Sequence, residues 1–316
     1  MRPADLRCEH RRDVPCLDEP APRLSWALES SQREKRQSAY RIRVWAGDAV
    51  LCDSGRVESS NSVDVVYVGP ALPPATECRW DVQVWDELGE ASEPSEPARF
   101  RTGLRDWRAR WIFREAAEDP GVPVPGNQPE RAADIEAHDW HLTTGFVGVG
   151  LLCPVLTEAG YADVAYRLLL NETFPSWGYS IRHGATTIWE RWDGWTAEHG
   201  FQTPMMNSFN HYSLGSVAQW LYEYVAGIRI DPERPGYEHV VIAPVPGELE
   251  HAAATLRTVR GPIRSAWRRS DDEFELTVEL PANVTGTVIL PDGSVTEIGS
   301  GTHDFAVTAA RGGLSR

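Results

Sequence analysis

The chain has no run approaching the ~20 consecutive apolar residues needed to cross a bilayer as a helix, so a membrane span is not expected. Its first residues, "MRPADLRCEHRRDVPCLDEP", carry basic groups but no apolar stretch that could act as a signal peptide, and cytoplasmic residence is the expectation. Positive charge is scarce: 31 Lys and Arg stand against 46 Asp and Glu, a net charge of -15, and no basic run supplies the surface that phosphate contacts need. Nucleic acid is therefore excluded as a partner. Cysteine is also sparse. The five residues Cys8, Cys16, Cys52, Cys78 and Cys153 are odd in number and have no CxxC spacing, so neither a zinc cage nor a full disulfide set is indicated, and reduced, mostly buried thiols are expected. There is no HExxH. His183, seven residues before Glu190, has no third ligand at useful spacing, so neither a metal nor a cofactor is expected. No short-period repeat of the solenoid or propeller kind is present.

What the chain does have is tryptophan, 13 in 316 residues. Most tryptophans fill cores, but their faces also suit the C–H faces of sugars. The length allows two or three domains. One stretch concentrates the question: "GATTIWERWDG", Gly184 to Gly194, sets Glu190 between Trp189 and Trp192, with Arg191 beside it and Asp193 beyond. On residue type alone, Glu190 is an ionised side chain held by Arg191 or by backbone donors in a turn.

Along the chain the hydrophobic period changes twice. Residues 1–103 read as β: "AYRIRVWAG" puts Tyr40, Ile42, Val44 and Ala46 on one face and Arg41 and Arg43 on the other. "SVDVVYVG" and "CRWDVQVWDELG" follow, separated by Gly, Pro and Ser clusters, which predicts a β-sandwich ending on the strand that holds Phe100. Residues 104–129 are rich in proline and glycine and read as a linker or junction. Residues 130–228 turn helical, through "PERAADIEAHD", "VGLLCPVLTEAG" and "YADVAYRLLLN". There Leu214, Val217, Leu221, Tyr224 and Ile228, spaced 3, 4, 3, 4, predict one face of a helix that stops near Gly227. From 229 to 316, alternating and β-branched runs return and predict a second β-sandwich, with "RRSDDE" as a hairpin turn. The expected fold is multidomain α+β.

Three separated motifs, "SWGY", "GATTIWERW" and "NSFNHY", together with "PGYEHVVIAPVPG", closely resemble the end of the catalytic domain and the C-terminal domain of bacterial α-L-rhamnosidases. "PRLSWAL", "QSAYRIRVW", "DSGRV" and "LPPATECRWDVQVWD" resemble the fibronectin-like sandwich that opens the same family. The resemblance covers nearly the whole chain. It implies an (α/α)6 toroid flanked by β-sandwiches, and hydrolysis of terminal α-L-rhamnosyl groups with inversion. An inverting glycosidase uses two carboxyl groups about 6.5–9.5 Å apart, one protonating the leaving oxygen and one activating water. By motif, Glu190 matches the general base and His211 a sugar-contacting histidine, while Trp177, Trp189 and Trp192 are candidate walls of the site. The implied partner is a rhamnose-containing glycoside or oligosaccharide.

One departure is large. The family's general-acid region, an acidic and tryptophan-containing segment in the first half of the toroid, has no counterpart, and twelve helices with their loops need roughly 190 residues. Residues 130–228 supply about half of that, so the expectation is a partial toroid. Glu115, Glu118, Glu130, Glu136, Glu172 and Asp193 are the carboxyls that could replace the acid, none of them in a motif. Three functions follow as expectations: a rhamnosidase-like hydrolase, inactive if the acid is absent; a non-catalytic rhamnoside-binding or remnant protein; and a structural β-sandwich module with a helical insert. A cut toroid also predicts a homo-oligomer through unpartnered helix faces, including the stripe through Leu214 and Leu221. "GFVGVG" lacks the GxGxxG order and reads as helix packing or a turn. "NET" at Asn171 and "NVT" at Asn283 are glycosylation sequons only in a secreted chain.

Overall fold

The structure, a computed structural model, describes residues 1–104, 135–141, 144–145 and 147–308. The expected linker and the first part of "PERAADIEAHD" fall outside the described residues, as do Glu115, Glu118 and Glu130.

Near the N-terminus two sheets face each other. One pairs Arg2–Cys8, Arg23–Glu29 and Val65–Val66; the other is built on Gln37–Ala46 and Glu77–Asp86, antiparallel over most of their length, with Ala98–Thr102 beyond. The alternation read in "AYRIRVWAG" puts Ile42 and Val44 inside, against Trp26, Trp80 and Phe100. The strand expected over "SVDVVYVG" shrinks to two residues, because Asp64 adopts a left-handed backbone conformation (φ 54°) that breaks the extended run. Three of the five cysteines are buried and all five are free thiols; burial pushes those of Cys8 and Cys153 up to about 12.

The C-terminal part holds two four-stranded sheets. His251–Thr258, Gly261–Arg269, Glu273–Leu280 and Gly301–Thr308 form one, in which the hairpin at "RRSDDE" closes through Ser270 N–H to Glu273 O at 2.8 Å. Ile228–Ile230, His239–Ile242, Thr285–Ile289 and Val295–Ile298 form the other.

Among the described residues, the stretch between the sandwiches holds the helices α1 (Val149–Glu158), α2 (Ala162–Leu170) and α3 (Trp177–Arg182). A further helical stretch follows, winding as a 3-10 turn over Ser213–Ser216, an α turn over Val217–Trp220 and a π turn over Leu221–Val225. It stops near Gly227, as the sequence predicts, but Gly227 (φ 81°) turns the chain so that Ile228 opens a strand instead of completing the helical stripe. Any Cβ at Gly227 would meet the Pro244 nitrogen at 2.3 Å, so the close approach of these two segments requires glycine.

The stripe through Leu214 and Leu221 is not an unpartnered face. Leu214, Trp220, Tyr224 and Ile228 are buried, and Val217 and Leu221 pack on the same cluster, because this face meets α1, α2 and the C-terminal sandwich. Trp220 is fully buried edge-to-face on Tyr166 at 5.0 Å, and its indole N–H donates to Thr157 Oγ1 at 2.8 Å. The Tyr166 hydroxyl in turn donates to the Val245 carbonyl of the C-terminal domain. Helices and C-terminal sandwich therefore share one core.

The two sandwiches also touch directly. Asn283 accepts the Gln37 N–H at 2.8 Å and donates to Ser60 O at 2.9 Å, while Ser300 Oγ donates to Lys35 O at 3.1 Å. The sequon asparagine Asn283 is thus committed to a domain contact. Asn171 likewise donates to Trp140 O and accepts from Thr173 N–H.

Candidate functional site

Helix α3 starts the site. Ser176 caps it by accepting the Tyr179 N–H at 3.0 Å, and Trp177 anchors it through an indole N–H to Leu214 O at 2.8 Å. Gly178 lies against the preceding loop, where a Cβ would sit 2.3 Å from Asn171 O. "SWGY" is therefore a cap, an anchor and a close approach in consecutive positions. After α3 the chain runs irregularly through Thr186–Trp192.

This irregular segment is laced to the segment holding "NSFNHY". Glu190 N–H donates to Ser208 O at 2.8 Å, His211 N–H donates to Ile188 O at 2.9 Å, and Thr187 Oγ1 donates to Phe209 O. The Ser208 N–H, at 2.7 Å, donates to Glu190 Oε2. Only 8% of Glu190 is exposed, so this charge-assisted bond supplies the partner that a buried carboxylate requires. Of the two holders expected for Glu190, the backbone is the one found. Arg191 turns the other way and grips Asp193 at 2.9 and 2.7 Å.

The structure thus brings Glu190 and His211 onto adjoining strands of chain 21 residues apart in sequence. His211 is half-buried, stacks on Tyr212 at 5.2 Å, and accepts the Ser213 N–H at Nδ1, 3.3 Å away. Trp177 and Trp192 meet edge-to-face at 5.5 Å, and Trp192 donates to Thr144 O at 3.0 Å. Trp189 points among Phe209 (5.3 Å) and Trp195 (6.5 Å). All three candidate tryptophans, with Ile181, Ile188 and Leu214, line a mainly apolar surface groove of about 290 Å³, whose lining includes neither Glu190 nor His211. His183 packs between Tyr179 and Trp195, with Nδ1 2.8 Å from Tyr179 O.

Of the described carboxyls considered as a replacement acid, Asp193 is paired with Arg191, Glu172 is exposed and paired with Arg182 at 3.2 Å, and Glu136 is exposed. Sequence reasoning missed Asn207, which donates to Gly194 O at 3.0 Å and so ties the end of the Glu190 turn to the residue preceding Ser208. It missed the Ser208 N–H as well, since a backbone donor leaves no side-chain signal.

Comparison with known proteins decides the family. Residues 3–106 match the Rha78A-like N-terminal immunoglobulin domain, 126–225 the bacterial alpha-L-rhamnosidase 6 hairpin glycosidase domain, and 227–304 the bacterial alpha-L-rhamnosidase C-terminal domain. The chain belongs to the bacterial α-L-rhamnosidase family. An α-L-rhamnosidase of Streptomyces avermitilis is 48% identical over 209 residues, which is 58% of this chain and 20% of that protein. One from Formosa agariphila is 46% identical over 158 residues, covering 50% of this chain and 17% of that protein. This chain therefore spans about a fifth of the length of these rhamnosidases. The crystal structure of the Streptomyces avermitilis α-L-rhamnosidase complexed with L-rhamnose aligns with 55% of this chain and 19% of its own, at 49% identity and a TM-score of 0.53. The α-L-rhamnosidase structure from Dictyoglumus thermophilum aligns over 97% of this chain and 99% of its own, with a TM-score of 0.77 and 13% identity, a likeness of fold.

Proposed function

We propose that this chain carries the water-activating side of an α-L-rhamnosidase site, with terminal α-L-rhamnosyl groups as its ligand. The supporting observation is the lacing of the Glu190 segment to the His211 segment, with the Ser208 N–H fixed on the Glu190 carboxylate. In this reading Glu190 Oε2 is held by the backbone, and the other oxygen accepts a proton from the attacking water as that water approaches the anomeric carbon. His211 contacts sugar hydroxyls, and the tryptophan-lined groove takes apolar parts of the glycoside. Inversion follows from direct attack by water on the face opposite the leaving group.

A second reading, recognition of rhamnosides without turnover, is favoured by the state of the described carboxyls: Asp193 and Glu172 are engaged by arginines and Glu136 is exposed. A general acid and a general base each commonly contribute 10²- to 10⁴-fold. The two readings separate in one assay, release of p-nitrophenol from p-nitrophenyl α-L-rhamnoside by the purified chain and by Glu190→Gln. Release that falls by about 10² or more in the variant supports the hydrolase. Binding of L-rhamnose with no release by either protein supports recognition alone, and no binding rejects both.

A further inference from the structure

We propose that a second copy of this chain packs by two-fold symmetry on the apolar rim of the Glu190 site. The inference is independent of whether the site hydrolyses its ligand. Ile181, Phe201, Met205, Met206 and Tyr212 are all 68–82% exposed, and Ile188 beside them is exposed too. These residues are separated in sequence but connected through contacts around the groove and the Glu190 turn. Ile181 and Ile188 line the same groove; Ile188 O accepts the N–H of His211, next to Tyr212; and Phe201 packs on Phe209, which packs on Trp189. Met205 and Met206 immediately precede Asn207 and Ser208, which are bonded to Gly194 and Glu190.

Area and charge both fit a self-association surface. Large apolar side chains at this exposure present on the order of 100 Å² each, so five of them with the less exposed Ile188 (40%) give about 500–600 Å² per copy, towards the upper end of what monomers leave exposed. A symmetric pair would bury about 1,000–1,200 Å², where specific interfaces begin. The chain as a whole is strongly acidic, at -15, which would oppose most pairings of like copies. Around this face, however, Arg182 and Arg191 stand against Glu172, Glu190, Asp193 and Glu198, so this region contributes only two of the chain's net negative charges. The two arginines are already paired, with Glu172 and Asp193. A closed two-fold contact uses the same patch on both copies, which limits growth to a dimer.

Sedimentation velocity over a concentration series tests this, with wild type beside the double variant Phe201→Glu/Met205→Glu. Both substituted side chains are exposed, so their replacement leaves the buried cores intact. The expected result is a wild-type dimer, and a double variant that self-associates about a hundredfold more weakly while keeping the wild-type circular dichroism spectrum. A wild type that stays monomeric throughout, or a double variant that dimerises as tightly as wild type, overturns the proposal. Should the double variant fail to fold, Ile181→Glu on α3 gives the same comparison from the other edge of the patch.

Discussion

The N-terminal sandwich closes on a core centred on Trp26, Trp80 and Phe100, joined among the described residues by Ala282 from the C-terminal sandwich, whereas the described helices between Val149 and Val225 share their core with that sandwich. Their buried side chains form one cluster with Trp267, Phe274 and Ile242 of the C-terminal sandwich. The consequence is a helical segment with two unlike faces. The inner face is completed by the sandwich, and the outer side, where the candidate site lies, ends in exposed Ile181, Phe201 and Tyr212. The short helical region is held because its buried face packs into the core of the C-terminal sandwich.

The largest test of this difference is Trp220→Ala. Removing a fully buried indole from the shared core should cost about 3–5 kcal/mol. Denaturant unfolding should show the helices and C-terminal sandwich lost together at lower denaturant, with the N-terminal sandwich unaffected. Separate loss of the helices alone would contradict the shared core.

Acid should act on the other side of the comparison. The Lys35 ammonium, 2.8 Å away, holds the Asp86 carboxyl below the usual range, and the Arg41 guanidinium brings Asp53 to about 2. Both groups are in the N-terminal sandwich. Their carboxyl pKa values are depressed on folding, so the stabilisation is complete above the ordinary aspartate value of about 4 and is lost as pH falls through the folded values, towards about 2 for Asp53. Lys35→Ala should move the acid transition of this domain to higher pH, read from tryptophan fluorescence. An unmoved transition would remove the ion pair from the account.

The smallest expected effect is at the direct contact of the sandwiches. Asn283→Ala deletes the side-chain bonds to Gln37 N–H and Ser60 O, at about 1 kcal/mol each, measurable as a lower melting temperature.

How much of this was legible in the sequence follows from which atoms carry it. Strands such as Gln37–Ala46 announce themselves because one face is buried and side chains must alternate. Helices α1 and α2 fall where the compact apolar segments place them, and "RRSDDE" turns as its polarity predicts. The spacing from Leu214 predicts an apolar helix face, but the expectation that this face lacks a partner is wrong, since Leu214, Tyr224 and Ile228 are buried in the shared core: spacing reports that a face is apolar, not what covers it. The change from 3-10 to α to π winding, and the turn of Gly227 into a strand, depend on tertiary contacts such as the approach of Pro244. At the site, Glu190 and His211 are visible through their motifs. The lacing that brings them together runs mainly through backbone N–H and C=O groups, which every residue but proline possesses.

The central claim, that Glu190 and His211 belong to one rhamnose-recognising site, is tested most directly by calorimetric titration of L-rhamnose into the wild-type chain and into His211→Ala. Binding by wild type, weakened about tenfold or more in the variant while its fold is retained, is the predicted result. No binding by the folded wild-type chain, or equal affinity in both proteins, would contradict it.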